Sequence, residues 1–269
     1  MDLLRSLAMA LSCFSKVPVP QVEWKPESMR YMMCFFPVIG LVIGLVLALW
    51  WLICDALGAS AVLRGAGLAL LPIAITGGIH LDGFCDVVDA QSSHASPERK
   101  REILKDPHVG AFAVIGVGCY LIAYTALAID FSSIAAVQTH LEVFPTVCVI
   151  LLLGCLHILS RCASGLATVL FAQSGTQGML AMFQQSAEKR PVAIALLAEF
   201  VVFAIVACFA SPTAGVVMII ACAVCLAGLS IFARTQFGGM SGDLAGFFLQ
   251  VAEVVMLACL VLIVHTVGL

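Results

Sequence analysis

Charge is what this sequence has least of. Only 11% of its 269 residues are Asp, Glu, Lys or Arg, against about 25% in soluble domains. A surface so poor in charge would aggregate in water, which excludes an ordinary soluble chain. The thirteen Lys and Arg are too few to line a basic groove, so nucleic acid is excluded as a partner. A cleavable leader is not expected either. Arg5 precedes a short apolar run at 7–14, but no A-x-A-like site follows and Lys16 comes soon after.

What the chain has instead is apolar mass, 62% of its residues. The solvent for such a surface is lipid. Seven stretches approach the roughly 20 residues a bilayer core requires, at 31–53, 61–79, 109–129, 143–161, 192–210, 214–233 and 246–264. The stretch 162–172 either extends the fourth or lies at the interface. Residues 3–14 read as a helix at or dipping into the interface. The expected fold is therefore all-α, a polytopic helical bundle of about seven spans, and residues 1–269 form a single membrane domain. Twelve cysteines fall mostly inside the apolar runs, where Cys is a small hydrophobe. Cys222 and Cys225, and the seven-residue series Cys148, Cys155 and Cys162, read as small residues on helix faces.

Seven spans put the basic clusters on one side. Arg5, Lys16, Lys25 and Arg30 precede the first span, Arg99 to Lys105 follow the second, Lys189 and Arg190 the fourth, and Arg234 the sixth. The other side holds Arg64 with Asp55, Asp130 and Glu142. The positive-inside rule makes the first side cytoplasmic, with the N-terminus inside and the C-terminus outside.

One segment stands apart, at 77–111: GGIHLDGFCDVVDAQSSHASPERKREILKDPHVGA. It carries six of the sixteen acids and three of the six histidines. Asp82, Asp86 and Asp89 are spaced i, i+4, i+7 and fall within roughly 60° of one helix face. Like charges so placed repel unless a cation sits between them. Oxygen-only donors suit a hard ion, and Mg²⁺ binds through one or two carboxylates plus substrate phosphates. The competing reading is a solvated acidic face, but Asp82 follows directly on an apolar span, where ionisable groups are expensive. Gly77, Gly78 and Gly83 allow tight turns and close approach, to a ligand or to a neighbouring helix. A short helix should follow, capped by Ser96, with Pro97 first and Pro107 beyond its end. Arg99 and Asp106 share a face of it, and Lys105 is nearby; basic and acidic residues together suit a polyanion held with its metal. His80 and His108 flank the segment. After the sixth span, the glycine-rich run 237–246 reads as a flexible loop in which Asp243 either reaches the same site or caps the next helix. Arg161 ends the fourth span, either to snorkel or to bind substrate.

At these residues the chain resembles the cobalamin synthase family, also called adenosylcobinamide-GDP ribazoletransferases. TGGIHLDGFCDVVDA at 76–90 resembles the family's T-G-G-x-H-x-D-G-x-x-D-x-x-D-G, and EILKDPHVGAF at 102–112 its E-I-M-[RK]-D-S-x-x-G-A-[YF]. FSKVPVP at 14–20, FPVIGLVIG at 36–44 and GGMSGDLAG at 238–246 are similar to its further motifs, in family order. Ala90, Leu104 and Pro107 depart from the usual Gly, Met and Ser, and Pro107 cannot supply a hydroxyl hydrogen bond. The resemblance implies a membrane transferase. The ribazole 3′-hydroxyl, of α-ribazole or its 5′-phosphate, attacks the phosphorus of adenosylcobinamide-GDP nearer cobinamide, and GMP leaves. It implies Mg²⁺ at Asp82, Asp86 and Asp89, with Asp243 as a fourth catalytic acid. Contacts to substrate are expected from His80, Gly83, Arg99, Lys105, Asp106, His108 and Arg161. Its setting is the bacterial inner membrane, its other partner the lipid bilayer, and the oligomeric state stays open, a homo-oligomer included. The acid spacing also echoes CDP-alcohol phosphotransferases, but the Arg of that motif is absent from 87–90. A metal-ion transporter would need acids at mid-membrane depth in several helices, and only Glu199 and Glu253 lie inside later spans.

Overall fold

The computed structural model describes residues 2–20, 22–140, 145–175 and 179–267. Glu142 and the start of the expected span 143–161 lie outside them. Among the described residues there are twelve α-helices and no strand. In chain order they are α1 (Asp2–Phe14), α2 (Pro26–Met29), α3 (Phe36–Ala56), α4 (Ala61–Thr76), α5 (Ile79–Ser92), α6 (Pro97–Ile103), α7 (Ala111–His140), α8 (Thr146–Leu170), α9 (Met179–Ser186), α10 (Lys189–Ala210), α11 (Pro212–Phe237) and α12 (Gly242–Thr266). A 3₁₀ turn at Met32–Phe35 leads into α3.

Six helical stretches are long and apolar enough to cross a bilayer, and α4 taken with α5 makes a seventh, bent by 95°. Residues 162–170 extend the fourth spanning helix. The inner helices are α8 and α12: 67% and 61% of their apolar windows are buried, against 22% in α7 and α10. The outer helices turn side chains such as Ile122, Ile205 and Phe209 outward, as lipid contact requires.

Without a hydrophobic drive between helices in lipid, close packing must hold them together. The glycines of FPVIGLVIG serve that purpose. A methyl on Gly40 would come 2.6 Å from the His157 carbonyl oxygen, and one on Gly44 would come 2.8 Å from the Gly154 Cα, so α3 lies backbone to backbone on α8. Cys148, Cys155, Cys162, Cys222 and Cys225 stand on helix faces, and no disulfide links them.

The expected span 61–79 stops early. Gly77 and Gly78 take φ of +64° and +81°, which ends α4 and starts α5 in a new direction. The Lys16 backbone N–H donates to the Ile75 carbonyl at 2.7 Å, satisfying a group the broken helix leaves open. The break turns α5 away from α4 by 95° and lays it against α12 and α7. The opposite membrane face carries the Arg64–Asp55 ion pair at 2.7 Å and a His265–Asp130 hydrogen bond at 2.9 Å. Arg64, an exception to the one-sided distribution of basic residues, is buried and lies 4.6 Å from the Trp51 ring.

Gly40→Ala is expected to cost about 1–3 kcal/mol through overpacking against α8. Gly228→Ala, in the interior of α11 where an added Cβ meets nothing within 4 Å, should instead raise stability by about 0.5–1 kcal/mol. Thermal unfolding of the two purified variants in the same detergent measures the difference.

Candidate active site at the crossing of α5 and α12

The acidic helix α5 lies across the ends of α7 and α12. Phe84 sits 5.1 Å from the Tyr120 ring of α7 and stacks on Phe247 of α12 at 5.5 Å. The crossing itself is made by glycine. A methyl on Gly83 would meet the Asp243 Cα and carbonyl oxygen at 2.9 Å, and one on Gly246 would meet the His80 carbonyl oxygen at 2.9 Å. Only hydrogen fits there, and the contact brings Asp243 against the helix of Asp82 and Asp86.

The glycine-rich run is held in place rather than flexible. Met240 N–H donates to the Ala172 carbonyl at 2.8 Å, and Ser174 N–H donates to the Met240 carbonyl at 3.0 Å. Gly239 packs so closely that a Cβ would fall 2.4 Å from the Gln173 carbonyl carbon. Asp243 is not the helix cap. Ser241 is, its hydroxyl accepting from Leu244 N–H at 3.2 Å, and Asp243 lies in the first turn, its carboxylate accepting from the Ser241 hydroxyl and its own backbone N–H.

The short helix α6 starts at the Ser96 cap as its sequence requires, with Arg99 N–H donating to the Ser96 hydroxyl at 3.4 Å. Two residues that the sequence reading passed over fix its position. Buried Lys100 donates to Gln91 at 2.8 Å and Gln236 at 2.6 Å, tying α6 to both α5 and α11. Arg101 donates to the Phe237 carbonyl at 2.9 Å, at the open end of α11.

These elements enclose a cavity of about 860 Å³. One part is charged, with Asp82, Asp243, Glu98 and Glu102 among acids and Arg101 and Lys105 among bases. The other is apolar and aromatic: Phe14, Met33, Phe36, Phe183 and Leu249. Gln173, Ser174 and the short helix α9 close a side; α9 is fastened by Gln184, which donates to the Phe171 carbonyl at 2.9 Å. All the connections that contribute lie on one membrane face, the side opposite the Arg64–Asp55 pair. The sequence gives no strong signal for α9, because an eight-residue helix carries too few turns for a period.

Of the expected site residues, Asp82, Asp243, His80, Gly83 and Lys105 line this cavity. Asp86 lies one helical turn from Asp82, outside the lining. Burial first, then the charges of Asp82, Asp243 and Asp89, push its carboxyl up to about 6. Asp89 turns toward α7, where Gly110 leaves room for its carboxylate. Arg99, Asp106 and His108 are not brought to the cavity. Arg99 is exposed and pairs with Glu102 at 2.6 Å, while Asp106 pairs with His108 at 2.6 Å on the surface. The His108 N–H and ring hold Asp106 below the usual carboxylate range. Arg161 neither snorkels nor reaches the cavity; it is 1% exposed and paired with Glu253 behind His80.

Among the described residues no three His, Cys, Asp or Glu side chains are gathered closely enough to hold a metal alone. The donor chemistry still fits Mg²⁺, which uses one or two carboxylates and fills its remaining positions with water and phosphate oxygens. The mutual repulsion felt by Asp86 is what a cation at this cluster would relieve.

The family model described as cobalamin-5-phosphate synthase matches residues 6–261. The chain belongs to this family. A relative from Lachnoclostridium phytofermentans named adenosylcobinamide-GDP ribazoletransferase is 41% identical over 253 residues, 94% of this chain and 92% of its own. One of the same name from Clostridium botulinum is 34% identical over 264 residues, 96% of this chain and 98% of its own. No solved structure matches the chain. Neither a CDP-alcohol phosphotransferase nor a metal transporter is favoured by these relatives.

The cap assignment has a direct consequence. Ser241→Ala should lower stability by about 1 kcal/mol, and Asp243→Asn should leave it nearly unchanged. Thermal unfolding of each variant, followed by circular dichroism, checks which residue caps α12.

Proposed function

We propose that this protein joins adenosylcobinamide-GDP to α-ribazole or its 5′-phosphate. The ribazole 3′-hydroxyl oxygen bonds to the phosphorus nearer cobinamide, the bond from that phosphorus to the bridging oxygen breaks, and GMP leaves. Family membership supports the reaction. The observation that carries the siting is that two glycine–aspartate motifs, distant in sequence, place Asp82 and Asp243 on one cavity.

In this reading Asp82 and Asp86 hold Mg²⁺, with Asp89 completing the charge of the cluster. The cation, when bound, neutralises charge growing on the bridging oxygen. Lys105 and Arg101 bind the diphosphate oxygens, as cations lining the same cavity. Asp243 accepts the hydroxyl proton, standing against α5 across the glycine crossing. His80 borders the same space. The apolar wall keeps water from the phosphorus.

The one-sided basic residues support a cytoplasmic active face in a bacterial inner membrane, where a nucleotide substrate is available.

Asp82→Asn, Asp86→Asn and Asp243→Asn should each lower kcat for GMP release from adenosylcobinamide-GDP about 100-fold or more, with the protein still folded in the membrane. Near-normal turnover in both Asp82→Asn and Asp86→Asn would remove the metal assignment. In a cysteine-depleted chain in intact cells, an impermeant thiol reagent should label Leu57→Cys and spare Ser93→Cys. The reverse pattern would invert the orientation.

A further inference from the structure

Well below the active face, Arg161 and Glu253 meet at 2.6 Å, with side chains 1% and 4% exposed. Glu253 lies ten residues along α12 from Asp243, about 15 Å at the helical rise. Ser160 donates to the same Glu253 oxygen at 2.9 Å, and His157 Nδ1 stands 3.2 Å from the other. Such a pair gains little stability, because the desolvation of both charges offsets their attraction, and apolar replacements of both are often neutral. Packing alone therefore gives no reason for it.

A second feature adjoins the pair. A small chamber of about 10 Å³ is walled by Ala69, Thr76, His80, Tyr124, Gln250 and the two charged residues. Two nitrogens buried there, His80 Nε2 and Arg161 Nε, have no protein partner. The space is near the roughly 10–15 Å³ that one water needs, and the walls offer it several polar groups. His80 also lines the large cavity beside Asp82, so one residue borders both.

We propose that Arg161 and Glu253 are positioning residues for the transfer reaction, acting on the His80 ring through one ordered water in this chamber. The inference rests on the function proposed above. Arg161 Nε–H donates to the water, and the water donates to His80 Nε2. That fixes the proton on Nδ1, the nitrogen left for the cavity, where its N–H donates to a substrate phosphate oxygen. Glu253 holds the guanidinium in register. Arg161, whose place in the sequence suggested direct substrate contact, works one step behind it.

The test uses the full-length protein in lipid nanodiscs with ¹⁵N-labelled histidine, the His80 signals being identified by their loss in His80→Gln. Arg161→Met combined with Glu253→Leu removes both charges together, so neither is left buried alone. This variant should fold, lose about tenfold or more in kcat for GMP release with KM for adenosylcobinamide-GDP little changed, and lose the Nδ1–H signature of His80. A purely structural pair would leave both readouts at wild-type values, and either one unchanged in the folded variant overturns the proposal. Ala69→Val keeps both charges but fills the chamber, and it decides the question if the double variant fails to fold. The same two losses are expected, and wild-type behaviour again overturns the proposal. If the unaltered protein releases no GMP, the transfer reading fails, and the His80 signature alone decides whether the pair tethers the ring.

Discussion

Where α5 crosses α12, main chain lies on main chain with no side chain between, and the active face depends on that contact. Gly83 and Gly246 are the residues that permit it, each facing backbone atoms at 2.9 Å from where a methyl would stand. The approach needs α5 to leave α4 at 95°, which the consecutive left-handed glycines at 77 and 78 provide. It also needs α5 to be held down, and Lys100 does this by bridging Gln91 of α5 and Gln236 of α11. Asp243 is thereby brought near enough to Asp82 and Asp86 that their charges act on one another. Packing free energy from the two inner helices offsets that repulsion when no cation is present.

Much of this was legible in the residues themselves. A bilayer imposes a length and a composition on anything that spans it, so five spans could be placed within about four residues from hydropathy, while α7 runs to His140, eleven residues past the expected end at 129. The acid spacing, the Ser96 cap and the continuation of the fourth span are likewise local, and local rules reach them. The break at Gly77–Gly78 was less accessible, because paired glycines at a helix end serve a ligand, a turn or a close crossing equally well. The side of the cavity built from residues 164–183 was hidden for a different reason. Ser164, Gln173 and Phe183 acquire their place only when the end of α8, the loop and α9 fold over α5. Arg161 was misplaced because snorkelling depends on which way a side chain leaves its helix. Here that direction is inward, toward an acid on α12 that no periodicity links to it.

Both arginines buried within the spanning helices are handled by pairing. Arg64 is matched by Asp55 and covered by the Trp51 ring, and Arg161 is matched by Glu253. A closed pair of this kind suits a fixed scaffold and not an ion path, since an ion path needs acids whose partners can exchange.

Gly239 carries a further lesson. Glycine in a polar run between helices suggests motion, yet here it is the residue that lets residues 238–240 press against residues 172–174 and exchange hydrogen bonds with them. The entropy of ordering this segment is therefore spent when the chain folds, not when substrate binds. The first turn of α12 meets its ligand already preorganised, and binding energy remains available for reshaping the diphosphate toward its transition state.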